Sequence, residues 1–239
     1  YAARIVSWDC PYVPYPTLKP LRHYRRVISG GLILSRLPIT AHEGVIYHKP
    51  KTNSRIYNYF YISRYTHAVR VALPEPISTL LTRGETEYWF TNSHLEAFNI
   101  ENRSTQATGL VHYIDNLAIR CPILAAGGDY NAIRAEATKT HDFTDGPDDY
   151  RGDRTIDILE SSPHIVHPVK PASYLANEAA YLSFPSAAPS RGLDHIFLGK
   201  SLVKQAQALS KSNLTVSVLP APDISDHRPV SLTIGSVIA

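Results

Sequence analysis

Short apolar runs separated by turn residues dominate the chain and predict mostly strands. The run GGLILSR (30–36) has the length and composition of a buried strand. Thr66–Leu73 alternates between two sets of side chains, as strands do. Further apolar and β-branched runs predict strands at Glu85–Leu95, Pro122–Ala126, 181–184, 192–198, 214–219 and 229–234.

One long segment has helical spacing instead. Between residues 99 and 120, the apolar positions Ala107, Leu110, Ile114 and Leu117 recur every three or four residues, with Asn99 or Asn102 as the N-cap. A short helix is predicted over Asp153–Leu159. The Tyr-, Pro- and Arg-rich residues 1–29 favour an irregular covering segment, and the acidic stretch 136–153 favours a long surface loop.

This mixture predicts one α/β domain over residues 1–239 with a layered sheet core. No repeat of about 20–50 residues and no linker divides the chain. The 44% apolar fraction and 23 aromatic side chains (15 Tyr, 6 Phe, 2 Trp) exclude a disordered protein. No apolar run approaches the roughly 18 residues of a membrane span.

The start of the chain and its cysteines leave questions open. The chain begins at Tyr1, contains no methionine and shows no signal peptide, so we expect a soluble protein of unknown compartment and oligomeric state. Two alternatives stay open: the start of the gene product lies upstream of Tyr1, or the protein itself lacks a front segment. Cys10 and Cys121 are compatible with one disulfide bridge or with two free thiols.

Charge is unevenly distributed along the chain. The net charge is 24 − 21 = +3, but residues 1–120 carry 14 basic and 8 acidic groups, while residues 121–239 carry 10 and 13. The basic half contains Arg22, Arg25, Arg26 and Arg36 and suits an anionic partner. A solvated arginine-rich loop explains the same residues equally well.

Four segments place polar side chains at the ends of apolar strands, where α/β folds build their sites. These segments are TNSHLEA (91–97), GGDYNA (127–132), LDHIF (193–197) and SDHRPV (225–230), and they supply His94, Asp129, Asn131, Asp194, Asp226 and His227. Carboxylate and amide oxygens suit Mg²⁺ or Mn²⁺, and histidine moves protons near neutral pH. Singly, the SDH and GGDYN sequences are typical of a turn or a helix cap, whereas Asp194 on an apolar strand needs a partner if it is buried.

In combination and order, these motifs resemble the endonuclease/exonuclease/phosphatase superfamily with the DNase I-like fold. The resemblance extends from about residue 30 to residue 230, and GGDYN followed by SDHRPV is its most specific part. It implies an α/β sandwich of two β-sheets flanked by helices. It also implies divalent-metal phosphoesterase chemistry.

The resemblance assigns a role to each matching residue. Asp129 matches the aspartate that orients or deprotonates the attacking water, and Asn131 matches the asparagine that holds the scissile phosphate. His227 matches a histidine that acts as general base or as phosphate contact, with Asp194 as its carboxylate partner. The roles of three further residues follow the same comparison: His94 at the phosphate or leaving group, Asp226 with Asp129 at the metal, and Arg134 with Asn131 at the substrate.

The front of the chain departs from the family pattern. A strand bearing an asparagine and a strand ending in a metal-binding glutamate are expected before GGLILSR. Residues 1–29 contain Asp9 as their single carboxylate and no glutamate, so the sandwich is expected to lack its N-terminal strands. This segment alone is therefore expected to be weakly active or inactive.

Two hypotheses of function follow. The first is a Mg²⁺-dependent phosphodiesterase or phosphatase, nuclease-like or sphingomyelinase-like, that acts on nucleic acid or on a phospholipid head group by in-line attack of water. The second is a non-catalytic binding or assembly module on the same fold, which has lost the glutamate.

Overall fold

The computed structural model describes residues 1–11, 26–51, 53–75, 85–203, 212–220 and 225–236. Its strands are β1 (Ala2–Cys10), β2 (Val27–Leu34), β3 (Ile39–Ile46), β4 (Tyr65–Ala72), β5 (Glu87–His94), β6 (Ile123–Asp129), β7 (Ile165–Val166), β8 (Asp194–Gly199), β9 (Ser212–Val218) and β10 (Val230–Ser236). Its helices are α1 (Arg55–Phe60), α2 (Ile100–Arg120), α3 (Thr155–Glu160) and α4 (Pro171–Ala176), and a 3₁₀ turn covers Glu178–Tyr181.

A six-stranded sheet with the order β3-β4-β5-β6-β8-β7 forms the centre of the described fold. β5 and β6 run parallel, and the other neighbouring strands run antiparallel. Two antiparallel hairpins, β1–β2 and β9–β10, pack on one face through apolar clusters that include Ala3 with Val69 and Leu198 with Leu232. This arrangement confirms the predicted α/β sandwich with the DNase I-like architecture.

Helix α2 covers the opposite face of the sheet. Asn99 caps it by accepting a hydrogen bond from the Asn102 backbone N–H at 2.7 Å, as predicted. The side chains of Ala107, Leu110, Ile114 and Leu117 are fully buried against the sheet. Each buried leucine or isoleucine contributes about 1.5–3 kcal/mol, so the apolar stripe holds the helix in place.

The prediction of an irregular segment at residues 1–29 is wrong. Residues 2–10 form β1, and β2 already begins at Val27. Ala3, Trp8 and Cys10 are buried, but a register shift between Val6 and Trp8 breaks the simple alternation, so the sequence pattern did not indicate a strand. The intervening residues 12–25, with Arg22 and Arg25, lie outside the described residues.

Two further predictions need correction. The strand expected at 181–184 is absent: residues 178–181 form the 3₁₀ turn, and Phe184 makes an isolated bridge to Arg191. Strand β3 was missed because its inward positions are only half-buried at the sheet edge, which leaves a weak hydrophobic signal. The other predicted strands and the helix at 153–159 are confirmed, with boundaries shifted by a few residues. The strand at GGLILSR is not buried as predicted, because it belongs to a two-stranded hairpin in which Leu32 and Leu34 are exposed.

Cys10 and Cys121 are both buried and form no disulfide with each other, which settles the open pairing question against a bridge. Among the described residues, no helix is both long enough and apolar enough to cross a membrane.

Candidate active site

Three neighbouring strands place polar side chains in one row. In the pairing register His94 at the end of β5 lies opposite Asp129 at the end of β6, and Asp129 lies opposite Asp194 at the start of β8. Gly128 allows this close approach, because its φ is +147° and a Cβ there would lie 2.0 Å from the Ser93 carbonyl oxygen. The second glycine of GGDYN thus has a structural role beside the aspartate.

A fourth polar residue reaches the row from the segment before β10. His227 donates from Nδ1 to Asp194 Oδ2 at 2.8 Å, and its ring contacts Phe184 at a centroid distance of 4.7 Å. Ser183 is fully buried and donates from Oγ to the same Asp194 oxygen at 2.6 Å. Asp194 therefore holds His227 with its Nδ1 protonated, so that Nε2 is free to accept a proton.

The row faces an open cavity with roughly 800 Å³ of empty space. His94 Nε2 lies 3.5 Å from Asp129 Oδ2, and His227 Nε2 lies 4.0 Å from that oxygen. Ligand atoms of Asp129, Asp194 and His227 all lie within 4.8 Å of one another. The structure therefore brings together four residues that the sequence selected from four separate segments.

Burial and the neighbouring Asp194 charge raise the pKa of Asp129 from 3.8 to about 6. Burial lowers the pKa of His227, but the hydrogen bond to Asp194 and the charges of Asp194 and Asp129 outweigh it, so this pKa is raised above 6.5. Both pKa values are therefore raised by the neighbouring carboxylates, and Asp129 in particular exchanges its proton near pH 6, as acid–base catalysis requires.

His94 has a different electrostatic environment. Burial and then the positive charge of Arg64 lower its pKa to about 3, so the ring is neutral at physiological pH. The Arg64 guanidinium donates from Nη1 to His94 Nε2, which leaves the ring proton on Nδ1. Arg64 is 7% exposed and was not selected from the sequence, because nothing near it in the chain connects it with His94.

The predicted substrate and metal residues have different positions. Asn131 lines the cavity with a φ of +49°, and its Nδ2 donates to the Leu95 carbonyl at 3.0 Å. Asp226 also lines the cavity but is exposed and lies outside the close carboxylate–imidazole cluster. Arg134 is 2% exposed and donates to Glu136 and to the Val169 carbonyl, so the structure does not bring it to the cavity.

The acidic loop contributes to the opposite wall of the cavity. Asp148 and Tyr150 line it, and residues 136–153 form no helix or strand, as predicted. Arg191 anchors this loop through two hydrogen bonds to Asp145 at 2.9 and 2.7 Å and through its position over the Phe143 ring. The loop is therefore a fixed wall with buried aromatic side chains rather than a purely solvated surface.

The donor set fits a hard divalent cation. Asp129 and Asp194 present two half-buried carboxylates close to one imidazole. Burial, and then the neighbouring Asp194 charge, disfavour the ionised form of Asp129, and a bound cation would offset both effects. Oxygen ligands of this kind suit Mg²⁺ or Mn²⁺.

No protein-family model and no curated protein matches the sequence of this chain. Several solved structures share its fold. An endonuclease/exonuclease/phosphatase family protein from Bacteroides thetaiotaomicron is 12% identical, with a TM-score of 0.55 over 98% of this chain and 72% of that protein. The human Nocturnin catalytic domain, solved with a bound sulfate anion, is 14% identical, with a TM-score of 0.53 over 98% and 72%.

A mannosyl-6-phosphatase from the same bacterium is 12% identical, with a TM-score of 0.53 over 98% of this chain and 77% of that protein. At these identities the likeness establishes the fold alone. The chain thus has the fold of the endonuclease/exonuclease/phosphatase superfamily, as its motifs predicted.

Proposed function

We propose that this protein hydrolyses phosphate esters with the help of a divalent cation. The observation that carries the proposal is the cluster of Asp129, Asp194 and His227, whose ligand atoms lie within 4.8 Å of one another in an open cavity. The fold is the one found in a mannosyl-6-phosphatase and in the Nocturnin catalytic domain, which supports the same chemistry.

The protein's own residues account for the proton transfers. Water attacks phosphorus in line with the leaving oxygen, and the water proton passes to His227 Nε2 or to Asp129. The P–O bond to the leaving oxygen breaks with its electron pair on that oxygen, and the departing oxyanion takes up a proton from solvent. Asp194 stabilises the imidazolium that results, because it already accepts the Nδ1 hydrogen bond. Asn131 and the neutral His94 are positioned to contact phosphate oxygens from the cavity wall.

A divalent cation would be held by the Asp129 and Asp194 carboxylates, with Asp226 as a further candidate ligand. When bound, it would neutralise charge on the phosphoryl oxygens and lower the barrier to attack. The net negative cavity of the protein alone would repel a phosphate ester, so the cation also explains how substrate enters.

Within this activity we favour a nuclease-like or general phosphodiesterase. A sphingomyelinase-like enzyme is the second candidate. The alternative of a non-catalytic binding module predicts that a phosphodiester is bound and released unchanged.

Hydrolysis of bis-p-nitrophenyl phosphate in Mg²⁺ tests the proposal. We expect His227→Ala and Asp129→Asn each to lower kcat/KM by at least about 10²-fold, because each removes a proton-transfer group. His164→Ala and Asp157→Asn, which change the same residue types outside the cavity, serve as matched controls and should retain the wild-type rate. Wild-type rates in both site variants would contradict the proposal.

A further inference from the structure

Three aromatic side chains form a continuous strip beside the cavity, which we call the aromatic strip: Tyr57, Tyr61 and Phe98. The rings of Tyr57 and Tyr61 stack with a centroid distance of 5.4 Å and an interplanar angle of 26°. Phe98 continues the strip at 6.5 Å from Tyr61. Tyr57 is 52% exposed and Phe98 is 75% exposed. Adjoining exposed aromatic rings of this kind are typical of a surface that binds a ligand.

The aromatic strip is connected directly to the catalytic residues. Tyr61 donates its hydroxyl hydrogen bond to the buried Glu96, and Arg64 donates from Nη2 to the same hydroxyl at 3.4 Å. Arg64 also contacts His94. Ala97, the residue before Phe98, lines the cavity. A ligand lying on the strip therefore extends into the place where the phosphate ester reacts.

Charge along this side of the cavity is positive. Residues 44–64 contain four basic side chains and no acidic one. Lys51 and Arg55 are exposed beside the strip, and the first turn of α1 carries no acid. The opposite wall carries Asp148 and Asp226. A polyanion is therefore drawn to the aromatic side rather than to the loop side.

We propose that the aromatic strip stacks the nucleobases of a single-stranded nucleic acid whose phosphodiester lies in the cavity. This rests on the proposed phosphoesterase activity and names its substrate class. Flat exposed rings combined with a basic flank are the features by which proteins bind single strands without reading sequence. The hydrogen bonds that fix Tyr61 hold its ring in place, which suits a stacking surface better than insertion into lipid.

Binding of a fluorescein-labelled oligothymidylate, followed by anisotropy in Mg²⁺, tests the strip. Every protein in this comparison carries His227→Ala to prevent turnover. An abasic oligomer of equal length carries the same phosphates without bases. We expect the double variant Tyr57→Ala/Phe98→Ala to bind the oligothymidylate about tenfold more weakly or worse, with little change for the abasic oligomer. Tyr59→Ala is the matched control, because Tyr59 is 55% exposed on the same helix but packs against Phe60.

Equal losses for both oligomers, or no loss for either, would overturn the proposal. So would a double variant that loses binding to phosphatidylserine vesicles while binding the oligothymidylate normally. Hydrolysis of bis-p-nitrophenyl phosphate by the wild type separates this result from the proposed function. Base-dependent binding together with hydrolysis rates that His227→Ala and Asp129→Asn leave unchanged would refute the enzyme and keep the stacking surface. Rates that both variants lower, without base-dependent binding, would do the reverse.

Discussion

Two buried charged clusters lie close together in this fold and differ in how their charges are balanced. Arg103 of α2 and Asp153 are each 1% exposed by side chain, and Arg103 Nε and Nη2 donate to one Asp153 oxygen at 3.0 and 2.8 Å. Arg103 Nη1 also donates to the carbonyls of Glu96 and Ala97. In the cavity, by contrast, Asp129 has Asp194 as its neighbour, and its pKa is raised.

The difference separates structural charge from functional charge. Every guanidinium nitrogen of Arg103 already has a hydrogen-bond partner, so this buried pair is not available to bind a ligand. The pair instead connects α2 to the residues just before α3. A carboxylate whose charge is disfavoured by its surroundings gains stability from a bound cation or from a proton. The Arg103–Asp153 pair therefore stabilises the structure beside the cavity, whereas the Asp129 cluster is available for chemistry.

Breaking the buried Arg103–Asp153 pair should lower the unfolding free energy more than breaking an exposed ion pair. Arg103→Met leaves the Asp153 carboxylate buried without its partner, which should cost about 3–5 kcal/mol of unfolding free energy. Arg151→Met, at the exposed pair with Asp149, should cost little, because water screens that pair. Urea unfolding measures both variants, and similar losses would show that the buried pair is no more important than the surface pair.

The buried histidines His167 and His195 form a second hydrogen-bonded network, and it should make the unfolding free energy depend on pH. The Val169 N–H donates to His167 Nδ1 at 3.2 Å, His167 Nε2 lies 3.4 Å from His195 Nδ1, and His195 Nε2 donates to the Ala132 carbonyl at 2.9 Å. Each ring is thus neutral with a defined tautomer. Burial, and then the charges of His195 and Arg134, lower the pKa of His167 to about 2.

Because this folded pKa lies below the ordinary value of 6.5, the unfolded chain takes up the proton first as pH falls, and stability declines below pH 6.5. From pH 6.5 to 5, His167 should account for about 2 kcal/mol of the loss. His167→Gln should remove that part of the pH dependence in urea unfolding measured across this range. An identical pH dependence in the variant would show that His167 takes up protons equally in both states.

The sequence allowed most of the sheet and the central row of the site to be predicted. His94, Asp129 and Asp194 end or begin apolar strands, so their positions follow from strand direction alone. His227 lies just before β10 of the β9–β10 hairpin, so strand direction predicts its position as well. Helix α2 was predictable because a four-position apolar stripe and an asparagine cap agree with each other.

What escaped prediction depends on contacts between distant parts of the chain. Arg64 matters because it meets His94, 30 positions later, and Ser183 matters because it meets Asp194; neither has a local signal. Arg134 was misleading, because its position after GGDYN suggested the cavity while its guanidinium turns to Glu136 and Val169. Strand β1 was hidden by a bulge.

The proposed activity depends on Asp129, whose ionised carboxylate is disfavoured by the protein and would be stabilised by a bound cation. Its pKa is raised from 3.8 to about 6, so above about pH 6 its ionised form destabilises the fold relative to the unfolded chain. Without metal at pH 7.5, Asp129→Asn should therefore raise the unfolding free energy by about 1–2 kcal/mol.

Urea unfolding of wild type and Asp129→Asn, each with EDTA and with Mg²⁺, is the most direct measurement. We expect Asp129→Asn to be more stable than the wild type in EDTA. We also expect Mg²⁺ to raise the unfolding free energy of the wild type and to leave that of the variant unchanged. A variant that is less stable than wild type in EDTA, and that gains as much stability from Mg²⁺, would contradict these expectations.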